Sequence, residues 1–327
     1  MSSLSRRTFV ERATVGVGAV AAGVALAKEA HAAGTEAATK KPVRKLGVLD
    51  NYREDRLRVL QDIGYECMSV QVREDNPAGD AIATADGQKR MLEDFAKHNL
   101  EISALAAYTN YLHPADQTEE KIAYMKTVVQ AAGKMGVKCV AAMTGRDPAK
   151  SIRDSIPDFK KAFEPVARVA EDSGVKVVFE NWVGGDDINH GINIGICPEG
   201  LSLMFEAVPS EAIGFEYDPS HFYWQGIDHL RVIREFAPRI HHVHLKDVEF
   251  LPETMYQRGC TGGAFRFRIP GWGALKWQDI FTTLLEVGYN GNMVVEHEDS
   301  TFSQKNGRFD EGLRLAHAYL RPIFPSF

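Results

Sequence analysis

Gly291-Asn292-Met293-Val294-Val295-Glu296-His297-Glu298-Asp299 reads as a short strand that runs into a cluster of acids. Three earlier stretches have the same form, an apolar run closing on polar side chains able to bind a metal. They are Val177-Val178-Phe179-Glu180-Asn181, Phe215-Glu216-Tyr217-Asp218-Pro219-Ser220-His221 and His242-Val243-His244-Leu245-Lys246-Asp247. Strand side chains alternate between faces, so His242, His244 and Lys246 share one face, and Val294, Glu296 and Glu298 share another. By the same rule Val178 pairs with Glu180, and Gly214 and Glu216 with Asp218. If four successive strands of one barrel finish at one rim, then Glu180, Asp218, His244 and Glu296 project into its mouth. Barrel enzymes do their chemistry at that rim.

Outward from these four, the chain alternates short apolar runs with longer helical patterns, which implies βα units and a parallel sheet. Eight runs are expected, beginning near Leu46, Cys67, Ile102, Cys139, Val177 and Ile213, with the last two ending at His244 and Glu296. Ile122, Met125, Val128, Val129, Ala132 and Met135 mark one helix face, with Asp116 and Glu119 as an expected capping box. Phe163, Val166, Val169 and Ala170 mark a second face, Phe281, Leu284 and Leu285 a third, and Leu313, Ala316 and Leu320 a fourth. Gly64, Gly136, Gly174 and Gly288 each stand where a helix stops and a strand begins. The expected class is α/β, a (β/α)₈ TIM barrel. The rival, a doubly wound open sheet, is weakened because no Gly-x-Gly-x-x-Gly follows the first strand.

The N-terminus reads as a targeting segment. Ser5-Arg6-Arg7-Thr8-Phe9 is a twin-arginine signature, Ala13 to Ala27 is too short and too weakly apolar to span a bilayer, and Ala30-His31-Ala32 offers a small-x-small cleavage site. Residues 1–32 are expected to be a signal peptide, 33–44 a linker and 45–327 the barrel, with the mature chain periplasmic or otherwise exported and free of a membrane span. Of the 327 residues 44% are apolar, enough for one sizeable core. Loss of residues 1–32 removes Arg6, Arg7, Arg12 and Lys28 but only Glu11 and Glu29, moving the formal charge from −6 to −8. Nucleic acid needs a basic footprint, so it is excluded as a partner. Cys67, Cys139, Cys197 and Cys260 form no Cys-x-x-Cys pair, and the first two fall in strand candidates, as buried free thiols do.

Asp247 to Gly273 shows no convincing periodicity. It carries Arg258, Arg266, Arg268 and Trp272, and reads either as a lid that brings guanidinium groups to an oxygen-rich ligand or as a solvated or homo-oligomer contact.

Three carboxylates and an imidazole facing one another inside a barrel have to be paired or to coordinate a cation. The donor set suits a borderline-hard divalent ion, Mn²⁺ first, with Co²⁺, Mg²⁺ or Zn²⁺ as alternatives. Salt bridges to Lys246 or Arg268 are the competing explanation for any one of these acids.

At Phe179-Glu180-Asn181, Tyr217-Asp218-Pro219-Ser220-His221, His242-Val243-His244-Leu245-Lys246-Asp247 and Val295-Glu296-His297-Glu298-Asp299, the chain resembles the xylose isomerase-like TIM barrels, also described as sugar phosphate isomerases/epimerases. The Pro270-Gly271-Trp272-Gly273 element is similar too, and the resemblance runs from about residue 45 to the end. It implies that Glu180, Asp218, His244 and Glu296 hold a metal, that Glu180 and Glu296 are the acid/base pair, and that His221 orients substrate. The family usually has a neutral residue where Glu216 stands, with His242 or Lys246 able to neutralise it here.

The implied substrate is a small-molecule carbohydrate: an unphosphorylated keto-sugar, cyclitol or keto-glycoside, converted through an enediolate by an isomerase or epimerase. A 3-keto-glycoside lyase or hydratase, or an inosose-type dehydratase, is the alternative. A non-catalytic sugar-binding barrel and an endonuclease-type phosphodiesterase stand further off. His113, Lys246, Arg268, Trp182 and Trp272 are further candidate substrate contacts. Lys246 is also expected to pair with Glu216 or Asp247, and His297 to point away from the site.

Overall fold

In the computed structural model, residues 44–184, 191–260 and 263–326 are described. Among the described residues, eight of the ten strands close into one parallel barrel. They are β1 (Leu46–Asp50), β2 (Cys67–Gln71), β3 (Glu101–Ala106), β4 (Cys139–Ala142), β5 (Lys176–Glu180), β6 (Ile213–Tyr217), β7 (Ile240–Leu245) and β10 (Met293–Val295). These are the eight runs expected from the sequence. Going round, the order is β1-β2-β3-β4-β5-β6-β7-β10, and β10 pairs back to β1. The signal peptide and nearly all of the linker lie outside the described residues.

The helices sit outside the barrel and bury the faces their spacing predicts. Ile122, Met125, Val128, Val129, Ala132 and Met135 are all buried on the helix Thr118–Met135, and so are Leu313, Ala316 and Leu320 on Phe309–Leu320. Two details differ. Leu285 is 43% exposed. The capping box does not form, because a 3₁₀ turn over Ala115–Gln117 leads into the helix and Gln117 gives it no side-chain cap. Gly136 and Gly174 end their helices in the left-handed conformation (φ 75° and 64°) that a side chain disfavours.

Inside the barrel a small apolar cluster of Leu49, Cys67, Ala104, Ala106, Cys139, Ala141, Val178 and Val294 packs separately from the shell between strands and helices. The alanines of β3 and β4 are small, and opposite them β6 and β7 carry Glu216, His242 and His244. Among the described residues no helix is long and apolar enough to cross a membrane. All four cysteines are free, with Cys67 and Cys139 buried.

The stretch from Asp247 to Gly273 is more ordered than its composition suggests. β8 (Asp247–Phe250) pairs antiparallel with β9 (Phe265–Arg268), Asp247 opposite Arg268 and Val248 opposite Phe267, and a helix over Pro252–Arg258 lies between them. At four residues each, these strands alternate too briefly to stand out from a loop in sequence. The ribbon lies over the short helix Pro219–Trp224, where Phe265 stacks on Trp224 at 4.5 Å. Asp247 anchors its base. One carboxylate oxygen accepts the N–H groups of Val248 (2.9 Å) and Leu275 (3.0 Å), the other those of Gly271 and the Trp277 indole (both 3.0 Å).

Candidate metal centre

The register of the barrel explains the site. Val294 pairs with His244 and Val295 with Leu245, so Glu296, the next residue after β10, comes level with Lys246 at the rim. Glu180 pairs with Glu216, and Glu216 with His242, which stacks inward side chains of β5, β6 and β7 in tiers. The upper tier brings Glu180, Asp218, His244 and Glu296 together, with one donor atom from each within 4.8 Å of the others. His244 Nδ1 lies 3.1 Å from Glu180 Oε1 and 2.9 Å from Glu296 Oε2. These four come from four consecutive strands, and Glu180 and Glu296 are the two ends of the arc.

Local folding fixes each donor. Asp218 caps the helix Pro219–Trp224, its Oδ1 accepting from the Ser220 N–H (2.8 Å) and hydroxyl (2.6 Å), which leaves Oδ2 free to face the centre. Asn181 exchanges two hydrogen bonds of 2.9 Å with the Asp218 backbone and clamps β5 to β6. Asn193 donates to the carbonyls of Glu180 and Trp182, both at 2.8 Å. His221 is buried, with Nε2 3.7 Å from Asp218 Oδ2 and 3.9 Å from Glu180 Oε1, and its Nδ1 accepts from the Trp224 indole N–H at 3.5 Å.

Whether these residues suit a cation is decided by what remains unpaired. Asp218 Oδ2 and His221 Nε2 are buried and make no hydrogen bond among the described residues, although the Lys246 ammonium stands 3.2 Å from Asp218 Oδ2. Three carboxylates converge with one buried ammonium, Lys246, between them. Burial and the neighbouring Glu296 charge push Glu180 up to about 8. Burial also raises Asp218, to about 6, against the pull of Lys246. Burial opposes ionisation of Glu296 as well, yet Lys246 and His244 outweigh it and hold that carboxyl well below the usual range. A hard oxygen set with one imidazole, and more negative charge than the local cations balance, fits a divalent ion.

A lower tier lies beneath. Glu216 Oε1 is 2.7 Å from His242 Nδ1 and 3.1 Å from His244 Nε2, and Glu216 Oε2 accepts from the Tyr108 hydroxyl at 2.5 Å. Despite complete burial, His244 and His242 hold Glu216 down to about 2. Of the two partners the sequence offered for Glu216, it is His242 that stands against the carboxylate, and Lys246 does not.

Lys246 pairs with neither Glu216 nor Asp247 but with acids of the upper tier, as the competing salt-bridge explanation had it. Its Nζ lies 2.7 Å from Glu296, 3.0 Å from Glu298 and 3.2 Å from Asp218 Oδ2, with the Phe267 ring centroid at 4.6 Å. Glu216 faces the lower tier and Asp247 is filled by three backbone donors and the Trp277 indole, so neither needs the ammonium. Arg268 does not present a free guanidinium, since it bridges Glu249 and Asp299, both at 2.9 Å, and is nearly buried. Trp272 is 46% exposed with its ring edge-on to Phe302. Trp182 is half-buried, and His113 sits on the rim loop beside Asp147, 3.8 Å away. His297 stacks on Phe309 away from the centre, as alternation predicts. A cavity of about 630 Å³ opens beside Glu296, walled in part by Asn51, Gln71, Glu298, Ser303 and Gln304.

Sequence reading missed Tyr108, Asn181, Asn193 and Phe267. Asn181 alone carried a local signal, standing next to Glu180 at a strand tip. Tyr108 follows β3 by two residues, Asn193 lies 13 residues beyond Glu180 and Phe267 stands on β9, so their partners on other strands appear only once the barrel is closed.

Among known proteins the chain is similar to the uncharacterised protein YfiH of Bacillus subtilis, 26% identical over 294 residues that cover 78% of this chain and 91% of that one. An inosose dehydratase of Clostridium botulinum is 23% identical over 223 residues, 61% of this chain and 70% of that one. The fold superposes on a crystal structure of the IOLI protein with a zinc atom at a TM-score of 0.68, with 18% identity over 86% of this chain and 99% of that one. Inosose dehydratases and sugar epimerases recur among these relatives. The family model for the xylose isomerase-like TIM barrel matches residues 57–321, and the chain belongs to that family.

Proposed function

We propose that this chain is a metal-dependent isomerase or epimerase that forms an enediolate from an unphosphorylated keto-sugar, cyclitol or keto-glycoside. One observation carries the reading: Glu180 and Glu296 stand at opposite ends of an arc of four donors, so two carboxylates flank one centre. Glu180, Asp218, His244 and Glu296 would hold the divalent ion, Mn²⁺ by preference. When bound, the ion supplies Lewis acidity that polarises a substrate carbonyl and acidifies the neighbouring C–H.

The chain's own residues do the rest. One glutamate takes the proton α to the ketone, and the C–H electron pair becomes the C=C bond of the enediolate while the carbonyl oxygen takes the charge. The other glutamate returns a proton to the opposite face, which inverts that carbon; return to the adjacent carbon would isomerise instead. Neutral His221, whose Nδ1 accepts from Trp224, has its Nε2–H free to donate to a substrate oxygen. Phe267 and the ribbon cover one side of the centre, and the cavity beside Glu296 offers polar side chains to sugar hydroxyls.

A lyase reading has its own support. Lys246 places an ammonium 2.7 Å from Glu296, a third proton-bearing group able to assist a leaving oxygen β to the ketone, and relatives include inosose dehydratases. Deuterium exchange separates the readings. In D₂O with Mn²⁺, a ketohexose, an inosose or a 3-keto-glucoside should take up deuterium α to the ketone. Recovered sugar marks an epimerase, an unsaturated ketone marks a lyase, and no uptake with any of the three would sink both. Export is proposed from the Ser5–Phe9 motif, and retention of an Arg6→Lys/Arg7→Lys variant in the cytoplasm would support it.

A further inference from the structure

Beneath the four donors lie Glu216 and His242, which the reaction does not use and which share His244 with the upper tier. Glu216, His242 and His244 are essentially inaccessible to solvent, yet every hydrogen-bonding atom in the group has a partner. The distances fix where the protons are. His242 Nδ1 is 2.7 Å from Glu216 Oε1 and its Nε2 is 3.1 Å from the Ser103 hydroxyl. A carboxylate oxygen cannot donate, so His242 carries a proton on Nδ1, with Nε2 held against the Ser103 hydroxyl. Tyr108 donates to Glu216 Oε2 at 2.5 Å. His244 Nε2, 3.1 Å from Glu216 Oε1, is under the same constraint: a lone pair there would face the oxygen's own lone pairs. The other nitrogen, Nδ1, faces Glu180 and Glu296 and meets carboxylate oxygens as well, so without a cation both ring nitrogens carry protons; the Nδ1 proton is the one on the side where a cation would replace it.

We propose that Glu216, backed by His242 and Tyr108, is a positioning residue that keeps the His244 proton on Nε2 and so commits Nδ1 to the metal. This rests on the reading of the upper tier as a divalent-cation site. Such a carboxylate orients a ligating imidazole and raises its basicity, and losing one typically costs about 10- to 100-fold in metal affinity. The ordered Ser103–His242–Glu216 chain explains why a buried acid stands where only packing would otherwise be needed.

Two measurements test it. In protein labelled with ¹⁵N-histidine and loaded with Zn²⁺, the His244 ring should show Nε2 protonated and Nδ1 shifted by coordination. A proton on Nδ1 with Nε2 coordinated would overturn the proposal, and this needs no variant to fold. Visible titration with Co²⁺ should show Glu216→Leu binding about 10- to 100-fold more weakly than the parent chain, with an altered absorption band. Glu216→Gln, which keeps an acceptor oxygen, should fall between them, and Tyr108→Phe should be mildest. A purely structural role would lower the melting temperature of the metal-free variants while leaving Co²⁺ affinity and band shape alone; that result overturns the inference. If the parent chain takes up neither Zn²⁺ nor Co²⁺, the cation site itself falls, and the role of Glu216 with it.

Discussion

Lys246 Nζ lies 2.7 Å from Glu296 Oε2 and 3.2 Å from Asp218 Oδ2, so one buried ammonium touches two of the four donors of the upper tier. It offsets part of the charge that would otherwise make the metal-free barrel mouth unstable. Removing one member of a buried ion pair costs about 3–5 kcal/mol. Lys246→Met should therefore lower the melting temperature of metal-free protein by roughly 5–15 °C. Saturating Mn²⁺ should restore more stability to the variant than it adds to the parent chain. Thermal melts with and without Mn²⁺ check this, and an unchanged metal-free melt would contradict it.

Glu180 and Glu296 should be separable by exchange. With saturating Mn²⁺, Glu180→Gln and Glu296→Gln should each lower epimerisation by about 10²–10⁴-fold. Each single variant should still exchange deuterium into the one epimer whose C–H faces the remaining glutamate. The double variant should exchange neither. Equal exchange into both epimers by a single variant would mean that one base serves both faces.

Metal affinity should depend on pH with a defined sign. Burial and the Glu296 charge lift Glu180 to about 8, so below that pH the metal-free chain holds a proton that a cation must displace. Displacement of the Glu180 proton alone should raise affinity for Mn²⁺ by up to about tenfold per pH unit between pH 6 and 8. Proton release on binding, read by calorimetry in buffers of different ionisation enthalpy, checks the same point. An affinity flat from pH 6 to 9 would contradict it.

Asp247 has a structural task at the base of the ribbon. Replacement by alanine strands four donors, on Val248, Leu275, Gly271 and Trp277, at about 1–3 kcal/mol for each of the three buried ones. Asp247→Ala should lower stability sharply and speed hydrogen exchange over residues 265–275 before it affects the rest of the barrel. Uniform exchange across the chain would mean that the ribbon is not anchored there.

Much of this was legible in the sequence because barrel geometry converts strand alternation into position. The inward set of Glu180, Asp218, His244 and Glu296 follows from a period of two and from strand order alone, and the four do meet. Junctions such as Gly136 and Gly174 marked the βα boundaries because a left-handed residue excludes most alternatives. What stayed hidden depends on chain segments distant in sequence. Tyr108 reaches Glu216 across 108 residues, and Lys246 chooses Glu296 over Glu216 because the register of β7 against β10 decides it. Arg268 looked like a ligand contact, yet Glu249 across the ribbon and Asp299 beyond β10 take its charge, pairings visible only once β8 and β9 are placed.

Anomalous diffraction at the manganese edge, from crystals grown with Mn²⁺, bears on all of the above. One strong peak per chain is expected, about 2.0–2.3 Å from oxygens of Glu180, Asp218 and Glu296 and from His244 Nδ1. Saturating Mn²⁺ with no peak among those four side chains, or a peak held elsewhere while Lys246 keeps its pairing with Asp218 and Glu296, would contradict it.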